Sequence, residues 1–146
     1  MANDDFDFVN SLFLATISKM EEQGVDSLIE EERVVTLIWH ASGIIENGGF
    51  QFFYENDLDP GMVAWAYKKI GCDKCSEILG ISFSLFPDTV AKASCEERVG
   101  YIQRNKELFY NLSCLFWDAD TATLERLANY VRENSKKLRG FTESCG

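Results

Sequence analysis

Apolar residues recur along this chain at intervals of three and four, a spacing that lays out a series of amphipathic helices. Val9, Phe13, Ile17 and Met20, with Leu12 beside them, predict a first helix over about residues 5–23, ended by Gly24. Ser27-Leu28-Ile29-Glu30 has the form of a capping box, Ser at the cap and Glu three residues on, and predicts the start of a second helix. The stripe of that helix is Val34, Leu37, Ile38, Ala41, Ile44 and Ile45, widened by Val35 and Trp39. Its polar strip is Glu32, Thr36, His40, Gly43 and Asn47. Asn47-Gly48 readily takes positive φ, so the glycine pair Gly48-Gly49 predicts a left-handed cap and a change of direction. Phe50, Phe52, Phe53 and Tyr54 follow, too much apolar surface to leave in water, and Asn56 closes the turn of helix they form.

Asp59-Pro60 is a cap followed by proline at the first helical position, and the helix it opens carries Met62, Val63, Ala66, Tyr67 and Ile70 up to Gly71. Another helix runs from about Asp73 to Leu85, packing Cys75, Ile78, Leu79 and Ser82, ahead of Phe86-Pro87. Ser94-Cys95-Glu96-Glu97 is a second capping box, read as opening one helix through Val99, Ile102 and Leu108 to Leu112. Asp120 is expected to cap a final helix with Leu124, Leu127, Ala128 and Val131 on its stripe, ending around Leu138 with Gly140 beyond. No stretch alternates with period two between hairpin turns. The expected fold is all-α, a single compact domain over residues 1–146 of about six to eight packed helices.

Composition adds the class. A chain of 146 residues, 46% hydrophobic and 13% aromatic, can bury a core of its own. The acidic N-terminus does not read as a signal peptide, and no apolar run approaches the roughly 20 residues of a membrane span. The expectation is a cytoplasmic protein with no membrane contact. Five cysteines, Cys72, Cys75, Cys95, Cys114 and Cys145, then read as reduced thiols. The net charge is −10, and its distribution is lopsided. Residues 1–63 hold 13 acidic side chains against the two basic ones Lys19 and Arg33, whereas residues 64–146 hold 11 acidic and 12 basic. That polarity suggests one acidic face.

Catalytic and metal motifs are weak. His40 is the sole histidine and lies on a polar strip; a triad would need a nucleophile and an orienting acid to converge on it. Cys72-Asp73-Lys74-Cys75 has zinc-like spacing but no second pair, and an all-α setting removes the strand a redox motif would want. Two thiols at the start of a helix is the simpler reading. Asn47-Gly48-Gly49 lacks the lysine and further glycines of a phosphate loop. Neither catalytic residues, nor a metal, nor a cofactor is expected. Glu30-Glu31-Glu32 is the densest acidic run; it favours a helix N-terminus, with Glu31 and Glu32 facing solvent.

The run Glu32-Arg33-Val34-Val35 through Trp39, then Ile45-Glu46-Asn47-Gly48-Gly49-Phe50-Gln51-Phe52-Phe53 and Asn56, resembles the signature of a bacterial domain-of-unknown-function family. That domain also forms the C-terminal domain of a DNA-mimic protein. Ile70-Gly71 followed by a helix and the closing 124–134 helix are similar too, so the resemblance spans about residues 25–138. It implies an all-α fold, no known catalysis, and binding to a DNA-binding protein in place of DNA. The Asn47, Gly48, Gly49, Phe50 and Asn56 motif reads as a mark of fold.

The resulting expectation is a non-enzymatic acidic protein that engages a basic, nucleic-acid-binding protein and does not itself bind nucleic acid. Its binding residues would be Glu21, Glu22, Asp26, Glu30, Glu31, Glu32, Glu46, Glu55, Asp57 and Asp59. Three alternatives stand beside it. One is an immunity-type inhibitor of a nuclease or toxin using the same face. Another is an enzyme or small-ligand protein with a pocket at the Gly48-Gly49 corner, which needs His40, Asn47, Gln51 and Asn56 to converge. The last is a helical homodimer whose acidity serves solubility.

Overall fold

The computed structural model describes residues 2–56 and 58–138, so Asp57, Gly140 and Cys145 lie outside the described residues. Among the described residues the regular structure is wholly helical. The elements are α1 (Ala2–Gln23), α2 (Glu30–Glu55), α3 (Pro60–Lys69), α4 (Asp73–Ser84), the single turn α5 (Asp88–Ala91), α6 (Cys95–Arg104), α7 (Lys106–Ala119) and α8 (Thr123–Glu133). Short 3-10 turns at Val25–Ser27 and Asp120–Ala122 join α1 to α2 and α7 to α8. No helix among the described residues is long and apolar enough to cross a membrane.

α2 is the central element, packing against α1, α3, α6, α7 and α8. Its two halves meet at Gly49, where φ is 65° and ψ −159°, a region essentially restricted to glycine. The expected corner is present, one residue later than Asn47-Gly48 suggests, and helix resumes directly at Phe50. Phe50, Phe53 and Tyr54 are buried at helical spacing and meet Phe86, Phe109, Phe116 and Tyr67 in a mostly edge-to-face aromatic cluster. Phe52 departs from the expectation: two residues from Phe50 is the wrong spacing for that face, and it stays 40% exposed.

α1 runs antiparallel along α2 and covers the strip that reads as polar. Lys19 pairs with Glu32, the Thr36 hydroxyl donates to Thr16 Oγ1 at 2.6 Å, and Phe13 meets the His40 ring edge-on. The side of α1 turned inward is therefore Val9, Leu12 and Thr16, with Phe13, Ile17 and Met20 at its margin.

Caps account for most boundaries. Asp59 Oδ1 accepts the Gly61 and Met62 N–H groups at 2.9 and 3.2 Å, and Ser94 Oγ accepts Glu97 N–H at 3.2 Å, both as expected. Ser27 does not cap α2. Its hydroxyl turns back to Gly24 O, buried Leu28 anchors the chain, and α2 starts from Ile29, whose N–H reaches Glu32 Oε1 at 2.9 Å. The single helix expected over 94–112 is two. At Asn105 (φ −131°, ψ 39°) the side-chain amide donates to Tyr101 O, a local bond that competes with helix continuation and splits α6 from α7. Asp120 does not cap α8, because its carboxyl turns inward to Ser42. α8 ends at Glu133, and hydrogen-bonded turns carry the chain to buried Leu138.

Candidate functional site

The expected acidic residues fall into groups with different surroundings. Glu21 and Glu22 end α1, Asp26 lies in the following 3-10 turn and Glu30 starts α2, so these four share the α1–α2 turn and are all exposed. Glu46 and Glu55 are exposed farther along α2. Glu46 lies 16 residues beyond Glu30, which at 1.5 Å and 100° per residue is about 24 Å along the axis and roughly 160° around it. Asp59 is exposed, but its carboxylate is engaged as the α3 cap.

Glu31 and Glu32 correct the sequence reading. They are only 6% and 3% exposed, not solvent-facing. Each glutamate of the run meets a lysine from a different part of the chain. Glu30 Oε1 lies 3.7 Å from Lys69 Nζ of α3, Glu31 Oε2 lies 3.6 Å from Lys137 Nζ beyond α8, and Glu32 Oε1 lies 3.5 Å from Lys19 Nζ of α1. The run thus ties three neighbours to the first turn of α2. Of the three, the Glu30–Lys69 pair is exposed on both sides, and a pair of that kind contributes about 0–1 kcal/mol. The partners are distant in sequence, so no local pattern could have shown the burial.

The Gly48-Gly49 corner borders an apolar cleft of about 480 Å³, walled by α2 on one side and by Ile102, Phe109, Tyr110, Ser113 and Trp117 on the other. Three bonds hold the corner. The Phe50 N–H, which an unbroken helix would direct to Glu46 O, donates to Ser113 Oγ at 3.0 Å. Ser113 in turn donates to Phe109 O at 3.0 Å, and Trp117 Nε1 donates to Ile45 O at 2.8 Å. A side chain at Gly48 would meet Phe52 Cβ at 2.5 Å, and one at Gly49 would meet Ser113 Oγ at 2.7 Å.

The polar side chains that chemistry here would need do not gather at the cleft. His40 packs on Phe13, and its partial burial lowers its pKa while Glu21 opposes the shift. Asn56 donates to Phe52 O as an ordinary helix end. Among the described residues Gln51 is the one of His40, Asn47, Gln51 and Asn56 that lines the cleft, and its amide donates to Glu55. Cys72 and Cys75 are free and buried around the start of α4, where burial pushes the Cys75 thiol up to about 12 and leaves it a poor nucleophile.

Neither a curated protein nor a solved structure matches the chain significantly. A family model does match, over residues 26–134, which takes in both the acidic start of α2 and the glycine corner. Its description is "DMP19-like protein", and the chain belongs to that family.

Proposed function

We propose that this protein is a non-enzymatic DNA mimic, whose exposed carboxylates occupy the nucleic-acid site of a basic DNA-binding protein such as a transcription factor. The observation that carries the reading is the α1–α2 turn: Glu21, Glu22 and Asp26 are exposed there, and among the described residues none of them is held in an ion pair. Duplex DNA presents one charge per about 1.7 Å of axis, and its partners grip it chiefly through Lys and Arg. A rigid helical corner bearing uncompensated carboxylates offers such a groove the same sign of charge and steers it in from a distance. Glu46 and Glu55 extend the acidic surface along α2. The resemblance of the family motif to a domain of a DNA-mimic protein leans the same way.

The glutamates already paired with lysines are the wrong place to test this. The informative variant is Glu21→Lys, Glu22→Lys, Asp26→Lys, assayed by capture of proteins released from DNA-cellulose. Capture should fall by roughly tenfold or more, and added salt should weaken the wild type similarly. Capture indifferent to both treatments sinks the proposal. Recovery of a nuclease or toxin in place of a transcription factor would shift the reading to an immunity-type inhibitor.

A further inference from the structure

The apolar cleft at the Gly48-Gly49 corner carries two charges that the fold does not use. Its back is formed by Phe50, Ile102 and Phe109, all buried, and its accessible walls are Tyr110 and Trp117. Those two rings stand edge-on with centroids 6.1 Å apart, and the Trp117 indole is pinned by its bond to Ile45 O. None of the carboxylates of the α1–α2 turn lines this cleft.

The neutral polar side chains of the cleft are already engaged. Ser113 gives its proton to Phe109 O and accepts the Phe50 N–H, and Trp117 gives its own to Ile45 O. The Gln51 amide donates to Glu55, and the Tyr110 hydroxyl has the Cys114 thiol beside it. A group that enters past them must be apolar, since a polar one would lose water and find no partner.

Lys106 and Glu107 differ. They line the cleft from the first turn of α7, both are exposed, and among the described residues neither is in an ion pair. Successive residues of a helix point about 100° apart, so the ammonium and the carboxylate diverge and do not neutralise each other. A ligand with a single charge would match one of the pair and be repelled by the other. An apolar recess beside one free cation and one free anion is complementary to a molecule that joins an apolar group to both charges.

We propose that this cleft binds a free α-amino acid with a large apolar side chain, the side chain against Tyr110 and Trp117, the carboxylate facing Lys106 and the ammonium facing Glu107. The two charges of an α-amino acid are carried by one carbon and its carboxyl neighbour, as those of the cleft are carried by two successive residues. The volume of about 480 Å³ falls within the range of about 300–1,000 Å³ for ligand sites. Burial of the side chain supplies the affinity, and the charges, standing at an open mouth, supply the selectivity.

The test is calorimetric titration of the full chain with L-phenylalanine, 2-phenylethylammonium, 3-phenylpropanoate and Nα-acetyl-phenylalanine methylamide, which share the ring and differ in charge. Phenylalanine should bind saturably with a Kd of about 1 mM or tighter. Each of the other three should bind roughly fivefold more weakly or worse. Lys106→Gln should weaken phenylalanine roughly fivefold without weakening 2-phenylethylammonium. Glu107→Gln should weaken phenylalanine by about the same factor without weakening 3-phenylpropanoate. Both positions are exposed, so neither substitution disturbs the core. Absence of saturable phenylalanine binding, or affinity untouched by both substitutions, overturns the proposal. Equal binding of the doubly capped derivative overturns it too, and assigns the cleft to an apolar side chain of another protein.

Discussion

The two ends of the central helix are held by opposite means. At its start, Glu30, Glu31 and Glu32 fasten α3, the segment beyond α8, and α1 through one lysine each, and these lysines are themselves substantially exposed. At Gly49 no charge is involved: a backbone conformation open to glycine, three hydrogen bonds and a cluster of buried rings set the direction. The first arrangement is adjustable and salt-sensitive. The second is close-packed and tolerates almost no change of shape.

The sharpest way to break the corner is Gly49→Ala. It combines a strained φ with a Cβ 2.7 Å from Ser113 Oγ, and it should remove about 3 kcal/mol or more of stability in urea denaturation, if the protein folds at all. Asp120, bonded to Ser42 between the two ends, comes next. Burial first, and then the neighbouring Glu46 carboxyl, raise its pKa to about 7 from an ordinary 3.8, while the Thr123 and Ser42 hydroxyls pull the other way; Tyr67 and Cys75 are further ionisable neighbours. The folded state therefore holds this proton more tightly than the unfolded one. Its contribution is complete below about pH 4 and is lost as pH rises to about 7, a change on the order of 4 kcal/mol. The stability of wild type relative to Asp120→Asn should fall across that window, and a flat difference would contradict the assignment.

Smaller effects separate the two mechanisms. Ser113→Ala leaves the Phe50 N–H without its partner and should cost about 1–2 kcal/mol, unchanged by salt. Glu32→Gln keeps an acceptor for Ile29 N–H but loses the Lys19 pair. It should cost at most about 1 kcal/mol, and the loss should shrink in concentrated salt. A salt-independent loss at Glu32, or a salt-dependent one at Ser113, would erase the distinction.

What could be read from the sequence follows the range of the interactions. Asp59-Pro60 and Ser94 act on their own next turn, and both appear where their local chemistry places them. Of the aromatics Phe50, Phe52, Phe53 and Tyr54, expected to be buried together, the three at helical spacing are buried and Phe52 is not. Glu31, Glu32 and Asp120 could not be placed this way. Lys137 and Ser42 lie far from them in the chain, and a carboxylate next to an unseen partner looks the same as one in water. The break at Asn105 is hidden for another reason, since a polar residue on an exposed helix edge and one that breaks the helix share the same pattern. The acidic turn was legible as composition; that Glu30 is engaged there while Glu21, Glu22 and Asp26 are not required coordinates.

The bonds that bend α2 also bear on how the molecule assembles. Phe50 and Ser113 are 63 residues apart, and Ile45 and Trp117 are 72 apart, so neither link can form until the second half of the chain has been made and has returned. Such distant closures come late, after local helix formation, which takes about a microsecond. Until then nothing distant fixes the direction taken at Gly48-Gly49, and the short stretch from Phe50 to Glu55 cannot hold a helix unaided. α7 is the strut that sets the angle there, and the acidic surface along α2 acquires its final outline only when that strut arrives.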